Sequence, residues 1–140
     1  MGEINAGGVV KGGLAAAVIM NISELILNAP VAGAQIEAEL AAHTLGPVGG
    51  TQIAVFVALT TMLGFATVWL YAAIRPRLGP GPMTALCAGL VVWTLSYLYM
   101  MVTLAVLGLH SMGVVVLTVA WTAVEMIVAS AVGGYLYNES

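Results

Sequence analysis

Two glutamates stand within the most apolar parts of this sequence. Glu24 lies in "NISELILN", three residues after Asn21 and four before Asn28, and Glu125 lies in "WTAVEMIVAS", three residues after Thr122. Residues three and four apart share one face of a helix, so these amide and hydroxyl groups would surround the two carboxyl groups. A carboxyl group in apolar surroundings is a candidate for binding a proton or a cation. These five residues are therefore the predicted ion or proton site.

A second candidate is a metal site built from Glu39, His43 and His110. Glu39 and His43 are four residues apart and would share a helix face, with His110 on the same side of the membrane. One carboxylate and two imidazoles can bind zinc. The alternative is that all three are ordinary polar residues that face solvent.

Other chemistry is not indicated. Trp93, Tyr97 and Met100 follow one another along one predicted helix, and we interpret them as core packing rather than as a pigment or quinone site. The sequence shows no nucleophile with a base and no phosphate-binding loop, so neither an enzymatic activity nor a cofactor is predicted. Cys87 is the single cysteine, which excludes an internal disulfide.

The composition is that of a membrane protein. Hydrophobic residues make up 61% of the 140 residues and charged residues 6%, whereas a soluble surface needs about 25–35% charged residues. A formal net charge of −3 offers no basic surface for nucleic acid. We therefore predict an integral membrane protein whose partners are membrane lipids and other membrane subunits or copies of itself.

The apolar residues form four stretches, each long enough for a membrane-spanning helix of about 20 residues. The predicted spans are residues 12–31, 51–74, 83–107 and 112–137. "RPRLGPGP", residues 75–82, is expected to end the second span because it contains three prolines. The predicted fold is all-α, an antiparallel bundle of four transmembrane helices that forms a single domain over residues 1–140.

The connection between the first two spans contains "QIEAELAAHTL", which has the pattern of a short amphipathic helix outside the membrane. Ile36, Leu40 and Leu45 would face inward and the charged residues would face solvent. On the opposite side lie all the basic residues, Lys11, Arg75 and Arg77. Because Lys and Arg collect in cytoplasmic segments, both chain termini are predicted to be cytoplasmic.

Spans one and four run in opposite directions, so Glu24 and Glu125 would lie at similar depth near the middle of the membrane. An ionised carboxylate there costs about 2.5–3.5 kcal/mol, and no predicted span contains Lys or Arg. We therefore expect at least one of the two to be protonated. Two interpretations stay open: a neutral, hydrogen-bonded pair that sets the helix register, or a site that takes up and releases a proton or a cation.

Two segments carry a resemblance to known sequences. By "MNISELILN" and "WLYAAIRPRLGPGP", the chain resembles small bacterial four-span integral membrane proteins that are usually left uncharacterised. The resemblance covers most of the length and implies four helices in a bacterial cytoplasmic membrane. It implies no activity and no site residue.

Two functions of different classes follow from these patterns. In the first, the chain is an accessory or scaffolding subunit of a larger membrane assembly or homo-oligomer, because so small a bundle leaves most of its apolar surface to be covered by lipid or by a partner. In the second, it is a proton- or cation-coupled carrier that uses Glu24 and Glu125.

Overall fold

The computed structural model describes residues 3–137, and these residues form helices without any strand. Four helical segments are long and apolar enough to cross a membrane: Ala6–Val31, Gly50–Leu78, Pro82–Val106 and Met112–Leu136. Each corresponds to one predicted span. The described structure is therefore all-helical, and its four long apolar segments are compatible with a multi-pass membrane protein.

Six α-helices make up these segments and one connection. They are α1 (Ala6–Ile26), α2 (Gly33–Ala42), α3 (Gly50–Leu78), α4 (Pro82–Trp93), α5 (Tyr99–Val106) and α6 (Met112–Leu136). A wider π-helical turn over Leu27–Val31, the first π-turn, follows α1, and another over Thr94–Leu98, the second π-turn, joins α4 to α5. Pro30 explains the first, since its ring nitrogen has no proton to donate to the residue four positions earlier.

Two helix ends differ from the sequence prediction. α1 begins at Ala6 rather than near residue 12, and α3 continues past residue 74 through Pro76 to Leu78. Pro76 lies in the last turn, where a missing N–H removes only one hydrogen bond. α3 ends instead at Gly79, whose φ of 84° favours glycine and whose N–H donates to the carbonyl oxygen of Arg75 at 2.8 Å.

Small residues bring the helices together in one half of the structure. A Cβ atom added to Gly64 would lie 2.7 Å from the backbone nitrogen of Ala17, and one added to Gly89 would lie 2.6 Å from the hydroxyl of Ser130. Gly12 of α1 contacts the backbone carbonyl of Gly133 in α6 in the same way. Such close approach gives van der Waals packing between the helix backbones.

Tyrosines join the chain at the end of this half, which we call the closed end. Tyr137 accepts a hydrogen bond from the backbone N–H of Asn5 at 3.1 Å, and its ring packs edge-on against Tyr71 with centroids 5.8 Å apart. The guanidinium of Arg75 lies 5.6 Å from the centroid of the Tyr137 ring. Tyr71 in turn accepts from the backbone N–H of Gly81 at 3.3 Å, so the start of α1, the end of α6 and the α3–α4 turn meet here.

The opposite half, the open end, is packed much less closely. Every residue from Gly50 to Ala58 is exposed, and Leu59 is still 53% exposed. α2 and α5 contain no buried residue. The first turns of α3 therefore stand apart from the other helices, and the connection through α2 lies at this end.

Candidate functional site: two carboxyl groups and a tyrosine

A tyrosine hydroxyl links the two glutamates. Tyr97 donates a hydrogen bond to Oε1 of Glu125 across 3.2 Å, and the same hydroxyl interacts with the carboxyl group of Glu24. Glu24 comes from α1, Tyr97 from the second π-turn and Glu125 from α6, so three of the four long segments meet at this point. We call Glu24, Asn28, Tyr97, Glu125 and Ser23 the carboxylate cluster.

Glu24 is held mainly by its own segment. The side-chain amide of Asn28 donates to Oε2 of Glu24 at 2.6 Å and also contacts the backbone carbonyl oxygen of Glu24 at 2.9 Å. Glu24 is half-buried and Asn28 is exposed. The Asn28 donor favours the ionised form of Glu24, whereas burial of the carboxyl group favours the neutral form.

Glu125 is more deeply buried, with 4% of its surface exposed. Its Oε1 accepts from Tyr97, whereas its Oε2 is buried with no hydrogen-bond partner among the described residues. The Ser23 hydroxyl interacts with this carboxyl group, and its oxygen accepts from the indole N–H of Trp121 at 2.9 Å. A buried carboxylate oxygen without a donor is costly unless it carries a proton or binds a cation.

The two π-turns deliver the groups that contact the carboxyl groups. Asn28 lies in the first π-turn and Tyr97 in the second. A π-turn inserts one extra residue into a helix and so changes the direction of the side chains that follow, which is why such turns recur at functional sites. In both segments the helix deviates from α geometry where it meets a glutamate.

The cluster has no basic residue to balance it. The sequence contains only three Lys and Arg residues; Lys11 and Arg75 lie toward the closed end, and Arg77 follows Arg75 by two residues. The carboxyl groups of Glu24 and Glu125 are close enough to repel each other if both are ionised. One proton or one cation between them would relieve this repulsion.

Asn21 and Thr122, two of the predicted site residues, make hydrogen bonds between helices. The amide of Asn21 donates to the carbonyl oxygen of Ala17 at 2.9 Å and to the hydroxyl of Thr61 at 3.1 Å, so it ties α1 to α3. Thr122 is fully buried, accepts from the indole N–H of Trp93 at 3.1 Å and donates to the carbonyl oxygen of Thr118 at 2.7 Å. The two bonds between side chains join α1 to α3 and α4 to α6.

Three residues of this region were absent from the predicted site: Ser23, Tyr97 and Trp121. The sequence predicts core packing for Tyr97, whereas its hydroxyl donates to Glu125 in the structure. A usable signal existed, because a tyrosine or tryptophan in the middle of an apolar helix places a polar group where it needs a hydrogen-bond partner. For Tyr97, the two glutamates are the acceptors.

The residues of the predicted metal site are partly brought together. Nδ1 of His110 lies 2.6 Å from Oε2 of Glu39, while Oε1 of Glu39 accepts from the backbone N–H of Ser111 at 3.0 Å. His43 is exposed at the end of α2. Over residues 3–137, no group of three or more His, Cys, Asp or Glu side chains is placed to hold a metal ion.

The environment of Glu39 favours its charged form. Partial desolvation acts to raise the pKa of this carboxyl group, but the hydrogen bonds from Ser111 and His110 outweigh it and hold the pKa below its usual range. Ser111 is also the N-cap of α6, and its hydroxyl accepts from the backbone N–H of Val114 at 3.4 Å. The carboxylate therefore sits at the positive end of the α6 dipole.

No protein-family model, curated protein or solved structure matches this chain. Its function is therefore inferred from its residues. In the described part of the chain, the carboxylate cluster offers carboxylate, hydroxyl and amide oxygens, which suit protons and hard cations rather than soft metals.

Proposed function

We propose that this chain is an integral membrane protein that binds one proton or cation at its carboxylate cluster and exchanges it across the membrane. The observation that carries the proposal is the buried Oε2 of Glu125, which has no hydrogen-bond partner in residues 3–137 and lies beside a second carboxyl group. A neutral pair with only a structural role would be expected to satisfy each buried oxygen. An unsatisfied oxygen next to a second acid favours a site that a proton or cation occupies.

In a membrane, the charges on the two carboxyl groups decide whether the site is stable. An ionised carboxylate at the bilayer centre costs about 2.5–3.5 kcal/mol, and a second one nearby adds to this cost. In the proposed arrangement the four helices form an antiparallel bundle in a bacterial cytoplasmic membrane. Lys11, Arg75 and Arg77 then put the closed end and both chain termini in the cytoplasm, and the open end faces outward.

Proton release tests the proposal. The purified protein in detergent with little buffer receives sodium, potassium, magnesium or tetramethylammonium chloride in turn, and a pH dye records released protons. We expect release with at least one cation, and its loss in the Glu24→Gln and Glu125→Gln variants. Glu37→Gln is the matched control, because Glu37 is exposed on α2.

A negative result needs a second measurement to be decisive. Infrared difference spectra over a pH series report directly whether a carboxyl group gains or loses its proton. If no cation releases protons and the two glutamates keep one protonation state throughout the pH range in which the protein stays folded, the site is structural and the proposal is wrong.

The role of an accessory or scaffolding subunit is a second candidate, favoured by the exposed first turns of α3. Ile53, Val55 and Phe56 are each at least half exposed and project from a helix that other helices of the chain do not cover there. A cysteine in place of Phe56, in a Cys87→Ser background, allows cross-linking in native membranes. A stoichiometric cross-linked partner or dimer would support the subunit role. Labelling of this cysteine by lipid-phase probes, without any cross-link, would oppose that role.

A further inference from the structure

α2 is attached to the rest of the chain near its two ends. At its start, a Cβ atom on Gly33 would lie 2.8 Å from the carbonyl oxygen of Asn28, and the N–H of Ala32 donates to Leu27 at 2.7 Å. Near its other end, Glu39 contacts His110 and Ser111. No residue of α2 is buried, so apolar packing contributes little to holding it.

The Glu39 contact is well built for a helix with so little packing. Its two carboxylate oxygens take separate donors, and the side chains of Glu39 and His110 are 18% and 17% exposed. The donor from Ser111 is a backbone N–H at the start of α6, where a negative charge is favoured. We call this contact the clasp.

The other end of α2 reaches the carboxylate cluster directly. Gly33 packs on the backbone of Asn28, and the side chain of Asn28 donates to Glu24. Asn28 lies in the first π-turn and Gly33 is the first residue of α2, with only Ala32 between the two elements. A change in the direction of α2 therefore moves the backbone that carries the donor to Glu24.

We propose that α2 is a strap that regulates the carboxylate cluster: the closed clasp keeps Asn28 on Glu24, and opening of the clasp removes that donor from Glu24. The inference rests on the proposed function, because it names the regulation of the same site. His110 is the titratable group that faces Glu39 from the described elements packed against it, while Glu37 and His43 are exposed neighbours on the same connection. Protonation of Glu39 would remove one of its two acceptor oxygens and so open the clasp.

Three proteins test the clasp: the wild type, Glu39→Gln and the matched control Glu37→Gln. Hydrogen exchange of the backbone amides of residues 33–42, followed by mass spectrometry in detergent, reports how often α2 opens. We expect exchange about tenfold faster in Glu39→Gln, the effect of weakening hydrogen bonds to a charged group, and no change in Glu37→Gln. Equal exchange in all three would overturn the clasp.

The side-chain amide of Asn28 reports the connection to the cluster without relying on any transport activity. Its NMR signal, assigned through Asn28→Ala, should shift in Glu39→Gln and stay in place in Glu37→Gln. Gly33→Ala provides a second route, since it strains the other end of α2 with the clasp intact and should shift the same signal. Faster exchange with an unmoved Asn28 signal would overturn the regulation.

The same variants separate the two proposals. If the cluster releases protons on cation binding, Glu39→Gln should change the cation concentration for half-maximal release by about three- to tenfold; an unchanged value would overturn the regulation alone. If no cation releases protons from the wild type and the infrared spectra show one unchanging protonation state, while the Asn28 signal still follows the clasp, the strap stands as a structural connection and the proposed function fails.

Discussion

Removal of the Tyr97 hydroxyl shows which glutamate holds the shared proton. Asn28 donates to Glu24 at 2.6 Å, whereas Oε2 of Glu125 has no hydrogen-bond partner among residues 3–137. Because Asn28 donates to Glu24 and Glu125 is the more deeply buried of the two, we expect the shared proton on Glu125. Tyr97→Phe, made in the wild type and in Glu125→Gln, therefore compares the same hydrogen bond to a carboxylic acid and to an amide.

The expected energies follow from the geometry. The Tyr97–Glu125 bond of 3.2 Å is longer than the usual O–H···O distance of about 2.7–2.8 Å. A bond to a neutral group contributes about 0.5–1.5 kcal/mol, one to a charged group about 1.5–3 kcal/mol, and measured side-chain bonds in a membrane average about 0.6 kcal/mol. We expect Tyr97→Phe to cost about 0.5–1 kcal/mol in both backgrounds, with a coupling energy below about 0.5 kcal/mol.

Unfolding of the four proteins by sodium dodecyl sulfate in mixed micelles, followed by circular dichroism, gives the free energies. All four are compared at one neutral pH. A coupling energy above about 1.5 kcal/mol would mean that Tyr97 donates to an ionised Glu125. The proton would then lie on Glu24, and the reasoning from donor geometry would be refuted.

Three further perturbations test the surroundings of the cluster. The pKa of Glu39 is lowered in the folded protein, so this carboxylate stabilises the fold above the ordinary carboxyl range and stops doing so as the pH falls through its folded pKa. The unfolding temperature, measured over an acid series, should therefore fall more steeply for the wild type than for Glu39→Gln. Parallel curves would contradict this. Gly64→Ala places a Cβ against the Ala17 backbone and should cost about 1–3 kcal/mol in detergent unfolding, unlike Gly113→Ala, whose nearest atom is at 3.9 Å. Pro30→Ala restores a backbone donor and should convert the first π-turn to α-helix, which an NMR shift of the Asn28 side-chain amide would reveal and an unmoved signal would exclude.

The helices were predictable because length and apolarity alone define a candidate membrane span. Their irregularities were predictable only where the sequence carries a local cause. Pro30 is such a cause for the first π-turn, but the second π-turn, "TLSYL", contains neither Pro nor Gly. The hydroxyls of Thr94 and Ser96 donate to the carbonyl oxygens of Leu90 and Val92 at 2.8 and 2.7 Å, but Ser and Thr make such bonds in many helices, so they do not predict a π-turn.

The proximity of the two acids was predictable from the sequence, but their contacts were not. Asn21 and Asn28 are seven residues apart, nearly two full turns, so periodicity puts both on one face of α1. In the structure Asn21 reaches Thr61 of α3, whereas Asn28 has no such neighbour because the first turns of α3 are exposed and stand apart. The divergence of two helices is a tertiary property, and it decides which amide serves Glu24.

The order in which the chain is synthesised gives the Asn28–Glu24 bond another meaning. Asn21 and Thr61 are 40 residues apart, so α1 can join α3 early, but Ser23 and Trp121 are 98 residues apart. Glu24 is therefore made long before α6 emerges, at a stage when neither Glu125 nor Tyr97 exists. Asn28 follows Glu24 by four residues and is made directly after it. The Asn28 amide is thus the first side-chain donor available to this carboxyl group during biosynthesis, before Tyr97 and Glu125 are made.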